Sequence, residues 1–291
     1  DAADPARADI ARVIAGPWLA ATLESLRSPE SLSRIEPGSA LKTTLRPYQQ
    51  LGLRWLHLFT ELGLGACLAD DMGLGKTIQV LALLLANKAK RGAEHAPSLI
   101  VAPASLLANW VAEIERFAPS LRVLVAHASF TPADKLEQAA AGDLTRTDVV
   151  ITSYGSLLRM PWLAEVSWRL AILDEAHAIK SPGARQTRAT KRLKAAARIA
   201  LTGTPVENRL GDLWSIFDFL NPGLLGTAPE FAAFAKRLAA RYHRRRSAGC
   251  QHVPVCDVGR QTATLPRRSR GRGRRASVQR ERNRRTLGRP A

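Results

Sequence analysis

The segment at residues 66–77 reads ACLADDMGLGKT, and it decides the fold of the surrounding chain. Its first four residues form a short apolar run that predicts a buried strand, and a helical pattern begins at Thr77. Gly73 and Gly75 let the backbone wrap around a phosphate, with the N–H groups of the helix N-terminus aimed at the anion. Lys76 can reach the terminal phosphates of a nucleotide, and Thr77 can offer a hydroxyl to Mg²⁺. The segment therefore predicts a phosphate-binding loop between a strand and a helix.

Position 70 departs from the strict form of this loop. The general motif has glycine there, whereas this chain has Asp70. A short glycine-lysine string can also be a helix start without a ligand, so the prediction needs a second, independent signal.

A pair of carboxylates after another apolar strand supplies that signal. Leu170–Leu173 runs directly into the sequence DEAH at residues 174–177. A carboxylate at the end of a buried strand is costly unless it meets a cation or another partner. Asp174 is suited to hold Mg²⁺, usually through water, and Glu175 to orient the water that attacks a terminal phosphate. Alone, the pair can be a helix N-cap, but together with the glycine loop it predicts a nucleotide-binding site.

Short apolar runs alternate with helical patterns through the middle of the chain. The predicted strands are Ala66–Ala69, Leu99–Ala102, Val123–Ala126, Val149–Thr152, Leu170–Leu173 and Ile199–Leu201. The predicted helices are Gln49–Glu61, Thr77–Lys90, Leu106–Phe117, Ala133–Ala141 and Arg185–Ala196. Continuous apolar strands separated by helices indicate an α/β fold with a parallel sheet and helices on both faces. Upstream, residues 4–36 predict one or two amphipathic helices, so residues 1–40 are interpreted as a helical packing extension.

The composition excludes several classes of protein. The 291 residues are 46% hydrophobic and 23% charged, which is typical of a globular chain and not of collagen, a coiled-coil rod or a disordered chain. No stretch of about 18 apolar residues runs without a charge, so no transmembrane helix is predicted. Cys67, Cys250 and Cys256 are too few for a secreted disulfide framework, and the spacing of the last two does not suit zinc. We expect a cytoplasmic location, and a chain that begins at Asp1 to be part of a longer protein.

The basic charge is concentrated in residues 241–291. They hold 16 arginines, no lysine and two acidic residues, a net charge of +14 out of the +18 of the whole chain. Hydrophobic periodicity is lost after about Tyr242, which predicts a low-complexity, disordered segment. One interpretation is an arginine-rich arm that engages nucleic-acid phosphates. The other, which we favour, is out-of-frame translation of a GC-rich gene, because that produces the same composition.

The motifs resemble, in order, those of the Swi/Snf-type ATPases, which are superfamily-two helicase-like proteins. Residues 174–177 form a DEAH box, and residues 70–77 are similar to that family's phosphate-binding loop, in which Asp replaces the first glycine. The other matching stretches are LRPYQ at 45–49, IVAP at 100–103, NW at 109–110, TSY at 152–154, LTGTPVEN at 201–208, DLWS at 212–215 and FLNP at 219–222. The resemblance runs from about residue 45 to about residue 225 and implies a RecA-like lobe at residues 41–240, the N-terminal one of the family's two.

The resemblance assigns roles to individual residues. The implied ATP contacts are Gln49 for the adenine and Asp71, Met72, Gly73, Leu74, Gly75, Lys76 and Thr77 for the phosphates. The implied catalytic residues are Lys76, Asp174 and Glu175, with Thr77 and Asp174 as the Mg²⁺ ligands. The implied residues that couple the nucleotide to DNA are His177, Thr202, Gly203 and Thr204. The implied contacts to one DNA strand are Pro103, Ser105, Thr152 and Ser153.

Several of these residues also have a purely structural interpretation. Ser105 can be the N-cap of the helix that follows it, and for Ser105 and Ser153 we favour the structural interpretation. His177 can be a hydrogen-bonded loop residue, although the resemblance implies a link between the phosphate site and residues 201–208. Trp110 and Trp214 are interpreted as core anchors, because their helical neighbours are apolar. The remaining structural alternatives are a solvated helix residue for Gln49 and a turn for Thr202 and Thr204.

The resemblance implies that the parent protein is a DNA-dependent ATPase that moves on duplex DNA, with ATP and Mg²⁺ as cofactors and no membrane or zinc. In a bacterium it implies a location at the nucleoid, associated with DNA. We identify no second RecA-like lobe with arginine fingers after residue 225. Such fingers contribute roughly 10³–10⁵ in rate in related nucleotide hydrolases, so we expect this chain alone to hydrolyse ATP very slowly. The alternative is an inactive lobe that binds nucleic acid only through its basic arm. A DEAH-class RNA helicase is disfavoured, because residues 201–214 resemble the translocase form of the motif.

Overall fold

The computed structural model describes residues 35–90, 96–142, 144–203 and 210–247 of the chain. The predicted helical extension before residue 35, Thr204 and the arginine-rich segment beyond residue 247 lie outside the described residues. The described residues through Tyr242 form one compact unit.

Strands and helices alternate along the described chain. The strands are β1 (Ala66–Leu68), β2 (Ser98–Ala102), β3 (Val123–Ala126), β4 (Val149–Ser153), β5 (Ser167–Leu173) and β6 (Lys194–Leu201). The helices are α1 (Pro47–Glu61), α2 (Lys76–Lys90), α3 (Leu107–Phe117), α4 (Ala133–Ala140), α5 (Tyr154–Arg159), α6 (Arg185–Lys191), α7 (Leu210–Leu220) and α8 (Ala228–Ser247). Each of the six predicted strands is present, with β5 and β6 extended toward their amino ends.

The strands form a single parallel sheet in the order β1-β6-β5-β2-β4-β3. Leu99 in β2 pairs with Ala171 in β5 on one side and with Val150 in β4 on the other. Because all strands run the same way, their carboxyl ends share one edge, and ligands bind at that edge in open α/β sheets. The glycine loop after β1 and the DEAH residues after β5 therefore meet there.

Each face of the sheet carries its own apolar core. Ile100 in β2 packs on the face covered by α1, α2 and α3, in a core that includes Leu53 and Leu81. Its neighbours Leu99 and Val101 point to the opposite face and pack with residues of α4, α5 and α7. This alternation explains why β2 and β4 are buried along their whole length. It confirms the predicted α/β fold with helices on both faces.

The helix predicted over Arg185–Ala196 is wrong at its carboxyl end. Helix α6 stops at Lys191, and β6 begins at Lys194. The sequence KAAARIAL favours a helix in isolation, because alanine is the best helix former. Pairing with β5, which begins with Lys194 beside Ser167, overrides that preference. Burial in the sheet, not local propensity, decides the state of this segment.

Helices α5, α7 and α8 lie outside the predicted set. Helix α8 continues to Ser247 and so passes residue 241, where the sequence predicts the basic segment to begin. Among the described residues, no helix combines the length and the apolarity that crossing a bilayer requires.

Candidate nucleotide and metal site

The glycine loop connects the end of β1 to the first residue of α2. Gly73 and Gly75 have φ angles of +81° and +77°, a left-handed conformation that costs little only for glycine. Helix α2 begins at Lys76, so the free N–H groups of its first turn border the loop. The Lys76 ammonium donates to the carbonyl oxygens of Asp70 at 2.8 Å and Asp71 at 3.1 Å. The loop therefore has the backbone form and the cation that phosphate binding requires.

The residue that the resemblance assigns to adenine lies directly against this loop. Gln49 is buried, and its Nε2 donates to the Leu74 carbonyl at 3.0 Å. Its Oε1 accepts from the Arg46 backbone N–H at 2.9 Å. A Cβ atom added to Gly75 would lie 2.5 Å from the same Nε2. Gln49 is thus not a solvated helix residue, because its amide joins α1 to the loop.

The aspartate at position 70 has a structural partner. The Gln79 side chain, which is fully buried in α2, donates from Nε2 to Asp70 Oδ2 at 3.0 Å. Close by, Gly52 leaves room for this side chain, since an added Cβ would collide with Gln79 Oε1. Asp70, which stands where the general motif has glycine, therefore connects the start of the loop to the helix that follows it.

The DEAH carboxylates follow β5 at the same edge of the sheet. Asp174 Oδ2 accepts from the indole Nε1 of Trp110 at 2.8 Å, and Oδ1 accepts from the backbone N–H of Glu175 at 3.0 Å. The buried Tyr154 hydroxyl donates to the Asp174 carbonyl at 2.8 Å. Burial, together with the nearby charges of Asp174 and Glu175, raises the pKa of Tyr154 well above its usual value, so it stays a donor. The carboxylate of Asp174 is therefore held in one orientation.

Glu175 is in a left-handed conformation with φ +48°, and among the described residues it is the only non-glycine residue with a positive φ. This conformation costs a non-glycine residue roughly 1–2 kcal/mol, and such strain clusters at functional sites. Its Oε2 lies 3.2 Å from Nδ1 of His177. The structure therefore places His177 against the proposed catalytic glutamate.

A cleft of about 460 Å³ brings the separate motifs together. Of the predicted residues, it is lined by Gln49, Met72, Gly73, Gly75, Lys76, Thr77, Asp174 and Glu175. Asp71 and Leu74 belong to the same loop but do not line it, and neither do His177, Thr202 or Gly203. Gly203 instead lies close to the loop, since an added Cβ would sit 3.2 Å from Met72 Cγ. Thr202 is buried, and its N–H donates to the Leu68 carbonyl at 3.2 Å.

Nine residues that line the cleft were not predicted as site residues, and Trp110 and Glu113 are two of them. Trp110 contributes its N–H to Asp174, so it is more than the core anchor that its apolar neighbours indicate. Glu113 lies on the same helix and lines the cleft together with Thr77. Burial and the charge of Asp174 raise the pKa of Glu113, against the opposing effects of Thr77 and Arg116. Their spacing of three residues indicates that they share one side of the helix, but it does not indicate which way that side faces.

The residues predicted to contact DNA differ in what their side chains do. Thr152 is fully buried and donates to the Ala126 carbonyl at 2.8 Å. Ser153 is buried and caps α5 by accepting from the Ser156 N–H at 3.0 Å, so the structural interpretation of Ser153 is confirmed. Ser105 is exposed, and helix α3 has no side-chain cap, so the predicted N-cap role of Ser105 is wrong. Pro103 immediately follows β2 at the carboxyl edge of the sheet.

The fold and the cleft define a class of protein: an α/β RecA-like lobe of the ATP-binding, helicase-like type. The model of the SNF2-related domain matches residues 48–252, and the chain belongs to this family.

Similar proteins include bacterial, archaeal and eukaryotic members of that family. The chain is 46% identical over 214 residues to the "Putative ATP-dependent helicase/translocase YwqA" of Bacillus subtilis, covering 73% of this chain and 23% of that protein. It is 33% identical over 245 residues to the "TATA-binding protein-associated factor MOT1" of Saccharomyces cerevisiae, covering 80% of this chain and 13% of that protein. The chain thus spans less than a quarter of the length of these curated relatives.

A solved structure supports the same assignment. The "Sulfolobus solfataricus SWI2/SNF2 ATPase core in complex with dsDNA" has a TM-score of 0.61 and 45% sequence identity, and the match covers 69% of this chain and 40% of that one.

Proposed function

We propose that the chain is the ATP-binding lobe of a DNA-dependent ATPase that moves on duplex DNA, and that the cleft receives ATP with Mg²⁺. The observation that carries this proposal is the meeting of Lys76, Thr77, Asp174 and Glu175 in one cleft. These residues come from segments far apart in the sequence. The parallel sheet brings the two segments to one edge, and the cation, hydroxyl and carboxylates that meet there are the groups that a nucleotide with Mg²⁺ requires.

The loop residues have the chemistry for the nucleotide. Lys76 donates to neutral backbone carbonyls, and phosphate oxygens are stronger acceptors because they are charged. We therefore expect Lys76 to exchange these carbonyls for the phosphates of ATP. Gln49 Nε2 donates to the Leu74 carbonyl at 3.0 Å and makes a longer contact of 3.5 Å with the Tyr48 hydroxyl. Its Oε1 accepts from Arg46 and keeps a second lone pair. Adenine can replace the long Tyr48 contact. The hydrogen freed in this way and the second lone pair suit the donor and acceptor edge of adenine.

The oxygen groups of the cleft fit Mg²⁺. Hydroxyl and carboxylate oxygens are the ligands that this ion prefers, and Thr77 and Asp174 supply one of each. When bound, the ion would neutralise part of the phosphate charge. We assign Glu175 the task of orienting the attacking water, because its contact with His177 uses only Oε2.

We propose that His177, Thr202, Gly203 and Thr204 couple the nucleotide to DNA. The packing of Gly203 against Met72 supports this role, since it joins the segment after β6 to the glycine loop.

The DNA-bound state of the archaeal relative supports duplex DNA as the partner and a DNA-associated location. We retain residues 41–240 as the lobe, residues 1–40 as an extension and residues 241–291 as a basic segment. Because the match covers only 40% of the archaeal ATPase core, we expect these 291 residues alone to turn over ATP very slowly.

The Lys76→Ala variant tests the proposal. We expect its affinity for ATP-Mg²⁺, measured by calorimetry, to fall roughly 10–100-fold, since hydrogen bonds to charged groups contribute about 1.5–3 kcal/mol. Its affinity for duplex DNA should stay unchanged, because Lys76 faces the nucleotide cleft. Lys194→Ala is the matched control, since Lys194 pairs with Glu165 at the exposed opposite edge. Equal ATP affinities for the two variants would contradict the proposal.

A further inference from the structure

Trp110 and Glu113 reach the cleft from the same side of α3. Residues three apart in a helix are neighbours on its surface. The Trp110 indole N–H donates to Asp174 Oδ2 at 2.8 Å, and Glu113 lines the same cleft as Thr77. Asp174 and Thr77 are the two proposed Mg²⁺ ligands, so one residue of α3 holds the first and another residue of α3 shares the cleft with the second.

We propose that Trp110 and Glu113 are positioning residues for the metal, with Trp110 orienting the Asp174 carboxylate and Glu113 orienting the Thr77 hydroxyl. This inference rests on the proposed function, since it concerns the same cleft. It adds a helix to the metal site that neither the glycine loop nor the DEAH box contains.

The role of Trp110 follows from the hydrogen bonds of Asp174. An indole has one donor and no acceptor, so a tryptophan that is only 2% exposed needs a partner for that donor. The partner here is a carboxylate at the end of β5, not a backbone carbonyl. With Oδ2 bound to the indole and Oδ1 bound to the Glu175 N–H, the plane of the carboxylate is fixed. The remaining lone pairs of both oxygens then point in fixed directions, as a metal ligand or a water ligand requires.

The role of Glu113 follows from the geometry of a hydroxyl. A threonine hydroxyl has one hydrogen and two lone pairs. When the hydrogen of Thr77 is donated to the Glu113 carboxylate, the lone pairs turn away from Glu113 and toward the cleft. The neighbouring carboxylate also increases the electron density on the hydroxyl oxygen. Both effects favour binding of a cation by Thr77.

The test compares ATP affinity with and without the metal in the 291-residue chain. Calorimetry gives the dissociation constant of ATP in EDTA and in saturating Mg²⁺, and the ratio of the two is the gain due to the metal. Trp110→Phe keeps the aromatic packing and removes only the N–H. Since outer-shell partners of metal ligands contribute roughly 10–100-fold to metal affinity, we expect this gain to fall by about 10-fold or more. Affinity in EDTA should stay unchanged, which also shows that the variant is folded.

Trp168→Phe is the matched control for the tryptophan. Trp168 is also 2% exposed and donates at 2.8 Å, but to the Leu163 carbonyl in another part of the core. The Trp168→Phe variant should therefore leave the gain in ATP affinity from Mg²⁺ unchanged. For the glutamate, Glu113→Gln removes the charge with little change in shape, and Glu115→Gln alters an exposed neighbour on the same helix. Only Glu113→Gln should lower the gain.

A second readout uses Mn²⁺ as a paramagnetic probe in place of Mg²⁺. The electron paramagnetic resonance spectrum of Mn²⁺ with ATP and the unaltered chain should differ from the spectrum obtained with Trp110→Phe. It should match the spectrum obtained with Trp168→Phe. If Trp110→Phe and Trp168→Phe show the same Mg²⁺ gain, the inference is wrong while the proposed function stands. If the unaltered chain binds no ATP, or binds it equally with and without Mg²⁺, the proposed function fails and the inference fails with it.

Discussion

Gly75 is a residue at which an added side chain meets two separate penalties. Its φ of +77° is strained for any residue with a Cβ, and that Cβ would lie 2.5 Å from Gln49 Nε2 and 3.1 Å from Ile78 Cγ2. We expect Gly75→Ala to lower the free energy of unfolding by roughly 1–2 kcal/mol from the backbone and by a further 1–3 kcal/mol or so from overpacking. Urea unfolding of the variant and of the unaltered chain measures the sum.

Gly142→Ala separates the two penalties of the Gly75 prediction. Gly142 has φ +98° but nothing within 4 Å of an added Cβ, so it carries the backbone strain alone. The excess loss in Gly75→Ala is the contribution of the packing against Gln49 and Ile78. Equal losses in the two variants would show that Gln49 does not constrain the loop.

Single residues of the site could be predicted from sequence where they stand shortly after an apolar run that forms a strand. Lys76 and Asp174 each stand a few residues after an apolar run, and the geometry of a parallel sheet then brings the ends together. The Trp110–Asp174 hydrogen bond could not be predicted in this way, because it joins residues 64 positions apart and depends on the rotation of α3 about its axis. The position of Glu113 in the cleft depends on the same rotation. An apolar helix face predicts a core anchor and says nothing about where an indole N–H points.

At the level of elements, the packing of α1 against α2 buries His57, and burial favours its neutral form. Lys90 Nζ, which can only donate, lies 2.9 Å from Nε2 of buried His57. Burial lowers the pKa of His57 below its usual 6.5, and Lys90 and Arg169 lower it further against the opposing effect of Glu61. A proton therefore binds more readily to His57 in the unfolded chain than in the folded one.

The stability of the α1–α2 packing should therefore fall in mild acid. Above pH 6.5 the imidazole is neutral in both states, and below it the unfolded state gains protons that the folded state resists. We expect the unaltered chain to lose more stability between pH 7.5 and pH 5.5 than His57→Gln, which cannot titrate. Thermal unfolding across this range measures the difference, with His127→Gln as the control for loss of an imidazole elsewhere. Parallel curves for the unaltered chain and His57→Gln would rule this explanation out.

The elements themselves were predictable in proportion to their burial. Strands such as β2 are buried on both faces and appear in the sequence as unbroken apolar runs. The alanines at the start of β6 carry no such signal, because a strand paired with β5 and a helix can both accept alanine, and the sequence pattern extended α6 too far. Helix α5 is six residues long, too short for a helical period to show in its sequence.

At the scale of the whole molecule, one amide joins the first strand to a helix near the end of the described chain. The Asn221 Oδ1 accepts from the backbone N–H of Gly65 at 2.9 Å, and its Nδ2 donates to the Gly65 carbonyl at 3.4 Å. Gly65 immediately precedes β1, and Asn221 follows α7, which packs on β6 in the core of the other sheet face. The stretch FLNP, which entered the family resemblance without a role, thus fixes α7 to the strand that leads into the glycine loop.

The two hydrogen bonds between Asn221 and Gly65 predict a loss of stability whose size depends on which half of the amide is removed. Asn221→Ala removes both hydrogen bonds and leaves two backbone groups of Gly65 without their partner, so we expect a loss of about 1–3 kcal/mol in the free energy of unfolding. Asn221→Asp keeps the acceptor for the Gly65 N–H, the shorter of the two bonds, but has no donor for the Gly65 carbonyl. Its loss should be smaller, and urea unfolding of both variants measures the order. Because Asn221 holds the residue before β1 and does not line the cleft, the ATP affinity of the folded protein should change little in either variant. An Asn221→Ala chain as stable as the unaltered one would mean that the sheet holds β1 in place without this residue.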